Sequence, residues 1–248
     1  MRRLLPTVVL GSLTAAWWWA ARGNPIFPTP PKVLLGIASL AKDGTLLRHV
    51  AASLYRVTFG YGAAVLAGVP LGILMGWHRT VSTAINPVVQ MLRPISPIAW
   101  IPLAILWFGV GDLSPMFLVF QASFFPVVVA TTAGVQLVGR EYVRAAQNLE
   151  ITGFKLFRTI IVPGALPTII TGMRVGLGVG WLVVVAAEMV GINSGLGYLI
   201  LDSRNAGMRY DLVVAGMVVI GVIGLLLDGF MQRLEHLKEV RWRYGDGR

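Results

Sequence analysis

Little in this sequence is equipped to make or break a covalent bond. The histidines, His49, His78 and His236, lie far apart and cysteine is absent. No HExxH, GxSxG or GxxxxGKS/T string occurs, so a metal centre, a nucleophile elbow and a phosphate-cradling loop are all disfavoured, and each histidine is expected as an interfacial side chain. The chemistry on offer is charge set inside apolar sequence, at Arg56, Arg93, Arg174 and Glu188. An ionised group at membrane depth must find a partner or water, and it marks a candidate path for a solute. Arg93 lies in the string LRPISPIAWIPLAILWFG (92–109), where Pro94, Pro97 and Pro102 remove backbone donors around Trp100. Such an interrupted helix survives in a membrane only where protein or a watery cavity satisfies the freed carbonyls, so it is either a stretch of translocation path or a kink packed on a neighbour.

Membrane helices must position these groups. The 248 residues are 56% hydrophobic and 13% charged, more apolar surface than a soluble domain of this size can bury. At about 20 residues per crossing the chain spans about six times, as an all-α polytopic membrane protein with no room for a soluble enzyme domain. The formal charge of +10 comes from Lys and Arg scattered at helix ends, where they set topology, and nucleic acid is not an expected partner. The pattern divides into residues 1–45, an N-terminal crossing over 4–20 that also resembles a signal peptide, with a Pro-rich external linker over 23–32; a membrane domain over 46–231; and a basic amphipathic tail over 232–248 suited to an anionic lipid surface. Further crossings are expected over 46–77, 81–110, 112–137, 166–190 and 212–230.

Small residues recur at helical spacing in three of these spans, at Gly60, Ala64, Gly68, Gly72 and Gly76, at Gly172, Gly176 and Gly180, and at Gly216, Gly221 and Gly224. They let helices approach closely where lipid supplies no hydrophobic drive for association. A helix starting near Ala165 would carry Arg174 about 13 Å along its axis, inside the bundle or a pore; a start below the membrane would make it an interfacial anchor. Basic residues concentrate at both termini, at His78–Arg79 and at Arg140, Arg144, Lys155 and Arg158, which places that side in the cytoplasm.

One polar stretch breaks the apolar pattern. Over 141–163 a helix-forming run contains Ala145, Ala146 and Leu149, Thr152 and Gly153 supply a break, a helical pattern resumes through Phe157, and Pro163 and Pro167 mark the return to the bilayer. Two short helices lying along the membrane surface are expected.

This stretch resembles the cytoplasmic "EAA" loop of binding-protein-dependent ABC importer permeases. Ala145, Ala146, Leu149, Leu156, Phe157, Pro163, Ala165, Leu166 and Pro167 fall on the pattern, while Arg144 replaces the usual acid and Glu150 the usual glycine. The strings PISPIAWIP (94–102), AAEM (186–189) and SGLGYLI (194–200) resemble the nitrate, bicarbonate, taurine and alkanesulfonate branch. The resemblance covers about 46–230. It implies a type I importer permease fold, with Arg144, Ala145, Ala146, Leu149, Glu150, Thr152, Gly153 and Phe157 coupling the chain to an ATPase. It also implies a path or gate for a small anion at Arg93, Pro94, Pro97, Trp100, Pro102, Arg174 and Glu188. The implied assembly is a homodimer of permeases in a bacterial inner membrane, both termini cytoplasmic, with two ATPase subunits that hold ATP and Mg and an external substrate-binding protein; this chain itself is expected to bind no cofactor and to be no enzyme. An ion-gradient-driven secondary transporter, or a permease for another small organic solute, is the alternative.

Overall fold

The computed structural model describes residues 4–23 and 26–235, all of whose regular elements are helical. In chain order these are α1 (Leu4–Ala21), α2 (Pro30–Lys42), α3 (Thr45–Trp77), α4 (Arg79–Leu92), a 3-10 turn (Pro97–Trp100), α5 (Ile101–Phe108), α6 (Leu113–Gln136), α7 (Arg140–Asn148), α8 (Gly153–Leu156), a π turn (Phe157–Ile161), α9 (Val162–Gly191), α10 (Leu196–Gly207) and α11 (Tyr210–Glu235). Four helical stretches are long and apolar enough to cross a membrane alone, namely 45–77, 113–136, 153–191 and 210–235. A fifth is the pair α4 and Pro97–Phe108, bent by 83°. The segment expected as a first crossing, α1, is an apolar helix of 18 residues with Val8, Leu10, Leu13 and Trp19 exposed.

The centre of the bundle is α6, flanked by α3 and α9, and glycine explains both contacts. A Cβ at Gly60 would lie 2.5 Å from the Met116 carbonyl oxygen, at Gly72 2.6 Å from Thr131 Cβ, and at Gly76 2.5 Å from Val135 Cβ, so α3 and α6 run parallel with backbones nearly touching. On the other side Gly134 meets Thr168, Gly176 meets Ser123 and Gly180 meets Ser123 Oγ, an antiparallel pairing of α6 with α9. The expected small-residue stripes are therefore the two seams of the core. The third stripe is only partly a seam: Gly216 faces Ile200 and Gly224 faces Trp181, but nothing lies within 4 Å of a Cβ at Gly221.

Three expectations change. The stretch after the external linker is helical: α2 starts at Pro30 and packs Val33, Gly36 and Leu40 inward, with Gly36 against Leu212 of α11. The second short helix expected on the membrane surface is not a separate element: the chain is helical from Gly153 through the π turn to Gly191, with Pro163 directly after that turn. Finally, α11 runs on to Glu235; the tail beyond it, 236–248, lies outside the described residues, as does His236.

Candidate functional site

Two ends of the bundle carry the unusual residues. At one end α3 presents His49, Ser53 and Arg56, spaced four and three residues apart and so on one helix face. All three are buried, Arg56 to 1% exposure, and so is Glu188 near the end of α9, at 0%. Arg56 Nη1 donates to Glu188 Oε1 at 2.8 Å and to the Ser194 carbonyl at 2.8 Å, Nη2 donates to Ser194 Oγ, and Nε donates to Asp112 Oδ1 at 2.8 Å. Ser53 Oγ donates to the Glu188 carboxylate at 2.8 Å.

What this cluster grips is the start of α10. The first N–H groups of a helix have no partner within it. Here they find partners on other helices: Gly195 N–H donates to His49 Nδ1 at 3.0 Å, Leu196 N–H to Ser53 Oγ at 2.9 Å, and Gly197 N–H to Glu188 Oε2 at 3.0 Å. A carboxylate at a helix N-terminus also meets the positive end of its dipole. The glycines are required for different reasons. Gly195 has φ +104, a region L side chains rarely adopt, and Gly197 leaves no room for a Cβ beside the Val185 carbonyl. His49, expected from the sequence as an interfacial side chain, is buried within the chain and accepts a backbone hydrogen bond. Its role and those of Ser53, Asp112 and Ser194 were not legible as a site, although the HxxxSxxR spacing on an apolar helix was a usable signal. Arg56 has found the partner its position demanded.

The other path candidates sit elsewhere. Arg174 pairs with Asp228 through two nitrogens and with Glu235 at 3.1 Å, so α9 turns Arg174 toward α11 and Glu188 toward α3 and α10. The Arg174 pair closes one end of a groove of about 380 Å³ between α9 and α11. Arg93 and Pro94 are exposed at the break after α4. Pro97 opens the 3-10 turn and Pro102 lies in the first turn of α5, so both prolines begin the second arm of the interrupted helix. Trp100 packs near Trp107 and Phe117, with its indole Nε1 buried and unpartnered. Ser114 Oγ donates to the Ala104 and Gly109 carbonyls and ties this broken segment to α6.

At the opposite end lies the 140–157 loop. Helix α7 stops in a Schellman turn: Glu150 N–H donates to the Gln147 carbonyl at 3.0 Å and Ile151 N–H to the Ala146 carbonyl at 2.9 Å, with Glu150 at φ +58. The residue standing where the family usually has glycine is therefore the one in the left-handed conformation. Gly153, at φ +59, starts α8 after Thr152 at its N-cap. Arg144, Ala145, Leu149 and Phe154 are exposed, Leu149 to 73% and Phe154 to 75%, whereas Ala146 is buried inside the chain. Phe157 stacks edge-on to Trp77 at 5.5 Å, joining the loop to the end of α3. Beside them opens an apolar groove of about 390 Å³ lined by Leu74, Trp77, His78, Phe154 and Phe157.

Residues 68–239 match the family described as binding-protein-dependent transport system inner membrane component. The taurine transport system permease protein TauC of Escherichia coli is 40% identical over 235 residues, covering 91% of this chain and 85% of that one. The nitrate import permease protein NrtB of Synechocystis is 34% identical over 242 residues, covering 94% and 88%. An inward-facing structure of the MetNI methionine ABC transporter superposes with TM-score 0.66 at 17% identity, over 76% of this chain and 94% of that one. That likeness shows an ABC importer permease fold.

Proposed function

Because the chain belongs to the binding-protein-dependent transport system inner membrane components, we propose that it forms the translocation path of an ATP-driven importer for a small oxoanion of the sulfonate, nitrate or bicarbonate type. Two copies pair, two separate ATPase subunits dock on their 140–157 loops from the cytoplasm, and an external binding protein delivers cargo at the α10 end. Both termini then lie in the cytoplasm of a bacterial cell. Closure of the ATPases on ATP and Mg drives alternating access.

The single observation that carries this reading is the exposed apolar side of the loop. Leu149 and Phe154 face outward with Ala145, next to an open groove, on an element that continues without interruption into α9. A push on α8 is transmitted along a 39-residue helical stretch to Glu188 and so to α10. Glu188, Arg93 and the Pro94–Pro102 segment contribute to the path or its gate; Arg174, held by two carboxylates, acts through α11. The relatives named for taurine and for nitrate support an oxoanion as cargo. The test is co-expression with a cognate ATPase and binding protein, followed by uptake assays in which taurine, nitrate and bicarbonate compete. Accumulation of one of these anions supports the proposal, and uptake of none of them overturns it.

A further inference from the structure

The described spans hold two strongly buried or paired arginines, and neither is available to a passing anion. Arg56 is engaged by Glu188 and Asp112, and Arg174 by Asp228 and Glu235. Arg93 is exposed at the break after α4, but within the bundle an oxoanion meets hydrogen-bond donors of another kind, and one cavity supplies them. Between α3, α4 and α6 lies a pocket of about 170 Å³ whose wall includes Asn86, Gln90, Thr132 and Gln136, with Val89 and Val128 between them. No ionised group lines it.

Asn86, Gln90 and Gln136 are exposed on helices of the membrane bundle. Lipid offers no hydrogen-bond partner to a carboxamide. Within the chain the amides do little for one another: Gln90 Nε2 reaches Asn86 Oδ1 at 3.4 Å, and Thr132 Oγ1 spends its proton on the backbone, with the Val128 carbonyl at 2.8 Å and that of Gly72 at 3.2 Å. The same side of α6 continues upward to Gln121, which is 8% exposed with Oε1 unpartnered; positions 121, 132 and 136 are separated by three turns and by one. Uncharged polar side chains thus recur along this side of α6 and on the facing α4.

We infer that this pocket is a way-station for the anion in transit, in which carboxamide N–H groups of Asn86, Gln90 and Gln136 solvate its oxygens. The inference rests on the oxoanion reading above. Neutral donors suit transport better than a fixed cation, because a solute must bind well enough to enter and weakly enough to leave.

The chain has no cysteine, so single thiols can be introduced cleanly. In the assembled transporter, Gln90→Cys and Gln136→Cys should react with a membrane-impermeant sulfonatoethyl thiosulfonate reagent, faster than with its trimethylammonium counterpart, and taurine or nitrate should slow the reaction. Leu225→Cys, on the exposed apolar face of α11, should not react. The Gln90→Leu and Gln136→Leu double variant should still co-purify with the ATPase and melt as wild type does while maximal uptake falls by about tenfold, with partial recovery in Gln90→Asn. Thiols that stay unreactive, or that react without charge preference or protection, overturn the inference, as does uptake by the Leu variant within twofold of wild type. Wild-type complexes that accumulate no oxoanion instead overturn the underlying reading, and that control is run first.

Discussion

Arg56 and Glu188 lie 132 residues apart in sequence and meet at 2.8 Å, with neither side chain reaching solvent. A buried ion pair adds little net stability over a well-packed apolar pair, but removing one partner strands the other in a medium that cannot solvate it. The two residues are held with Ser53 and His49 around the first N–H groups of α10, so the pair acts on an element as well as on itself.

Deleting that contact should be felt at α10 first. Glu188→Ala should lower stability by about 3–5 kcal/mol, toward the low end because Asp112 still holds the guanidinium. Glu188→Gln, which can still accept from Ser53 and Gly197, should cost less. Thermal unfolding of the purified protein, with hydrogen exchange over 194–207, measures both; a Glu188→Ala protein as stable as wild type would show that the pair does not hold α10.

The α3–α6 seam makes a prediction with an internal control. A Cβ at Gly72 meets the Val128 carbonyl at 2.8 Å as well as Thr131, and a backbone atom cannot swing away. Gly72→Ala should therefore cost about 1–3 kcal/mol by overpacking. Gly62, on the same helix with nothing within 4 Å, should gain from the same change, by about 0.5–1 kcal/mol. Melting temperatures that move in the same direction for both would argue against the seam.

Glu150 pays for a left-handed conformation that glycine adopts without penalty. Glu150→Gly should stabilise the turn by about 1 kcal/mol, since the Schellman hydrogen bonds of Glu150 and Ile151 need only backbone. Slower hydrogen exchange across 140–151 is the expected readout, and unchanged or faster exchange would contradict it.

Neighbouring alanines separate docking from folding. Ala145 is exposed and Ala146 is buried within the chain, so Ala145→Asp should leave the protein folded but weaken its association with the ATPase. Ala146→Asp should destabilise the loop itself by about 2–5 kcal/mol through an unpaired buried charge. Pull-down of the ATPase alongside a melting curve distinguishes the two, and equal retention of the ATPase by both variants would place the docking surface elsewhere.

Much of this architecture could be read from local pattern. The glycine stripes at 60–76 and 172–180 mark the seams because close approach demands small residues whatever the partner, and the α7–α8 break follows from Thr152 and Gly153. The 83° bend after α4 was foreshadowed by three prolines, of which Pro97 and Pro102 begin its second arm. The clasp was not legible as a unit: Arg56 and Glu188 each announce a missing partner, but only the tertiary fold shows that they satisfy one another and that Ser53, His49 and Ser194 join them. Helix α2 was hidden by its short length and by the proline-rich run that precedes it. Which alanine of the loop faces outward depended on where α7 ends, a detail set by Glu150 in a conformation its side chain does not favour.

The account stands most directly on what energises transport. Proteoliposomes holding the permease with its ATPase, ATP inside and loaded binding protein outside, should accumulate labelled taurine or nitrate. Accumulation should cease when ATP is withheld or when the ATPase's catalytic carboxylate is removed. Uptake that persists without ATP and follows an imposed proton gradient would contradict it.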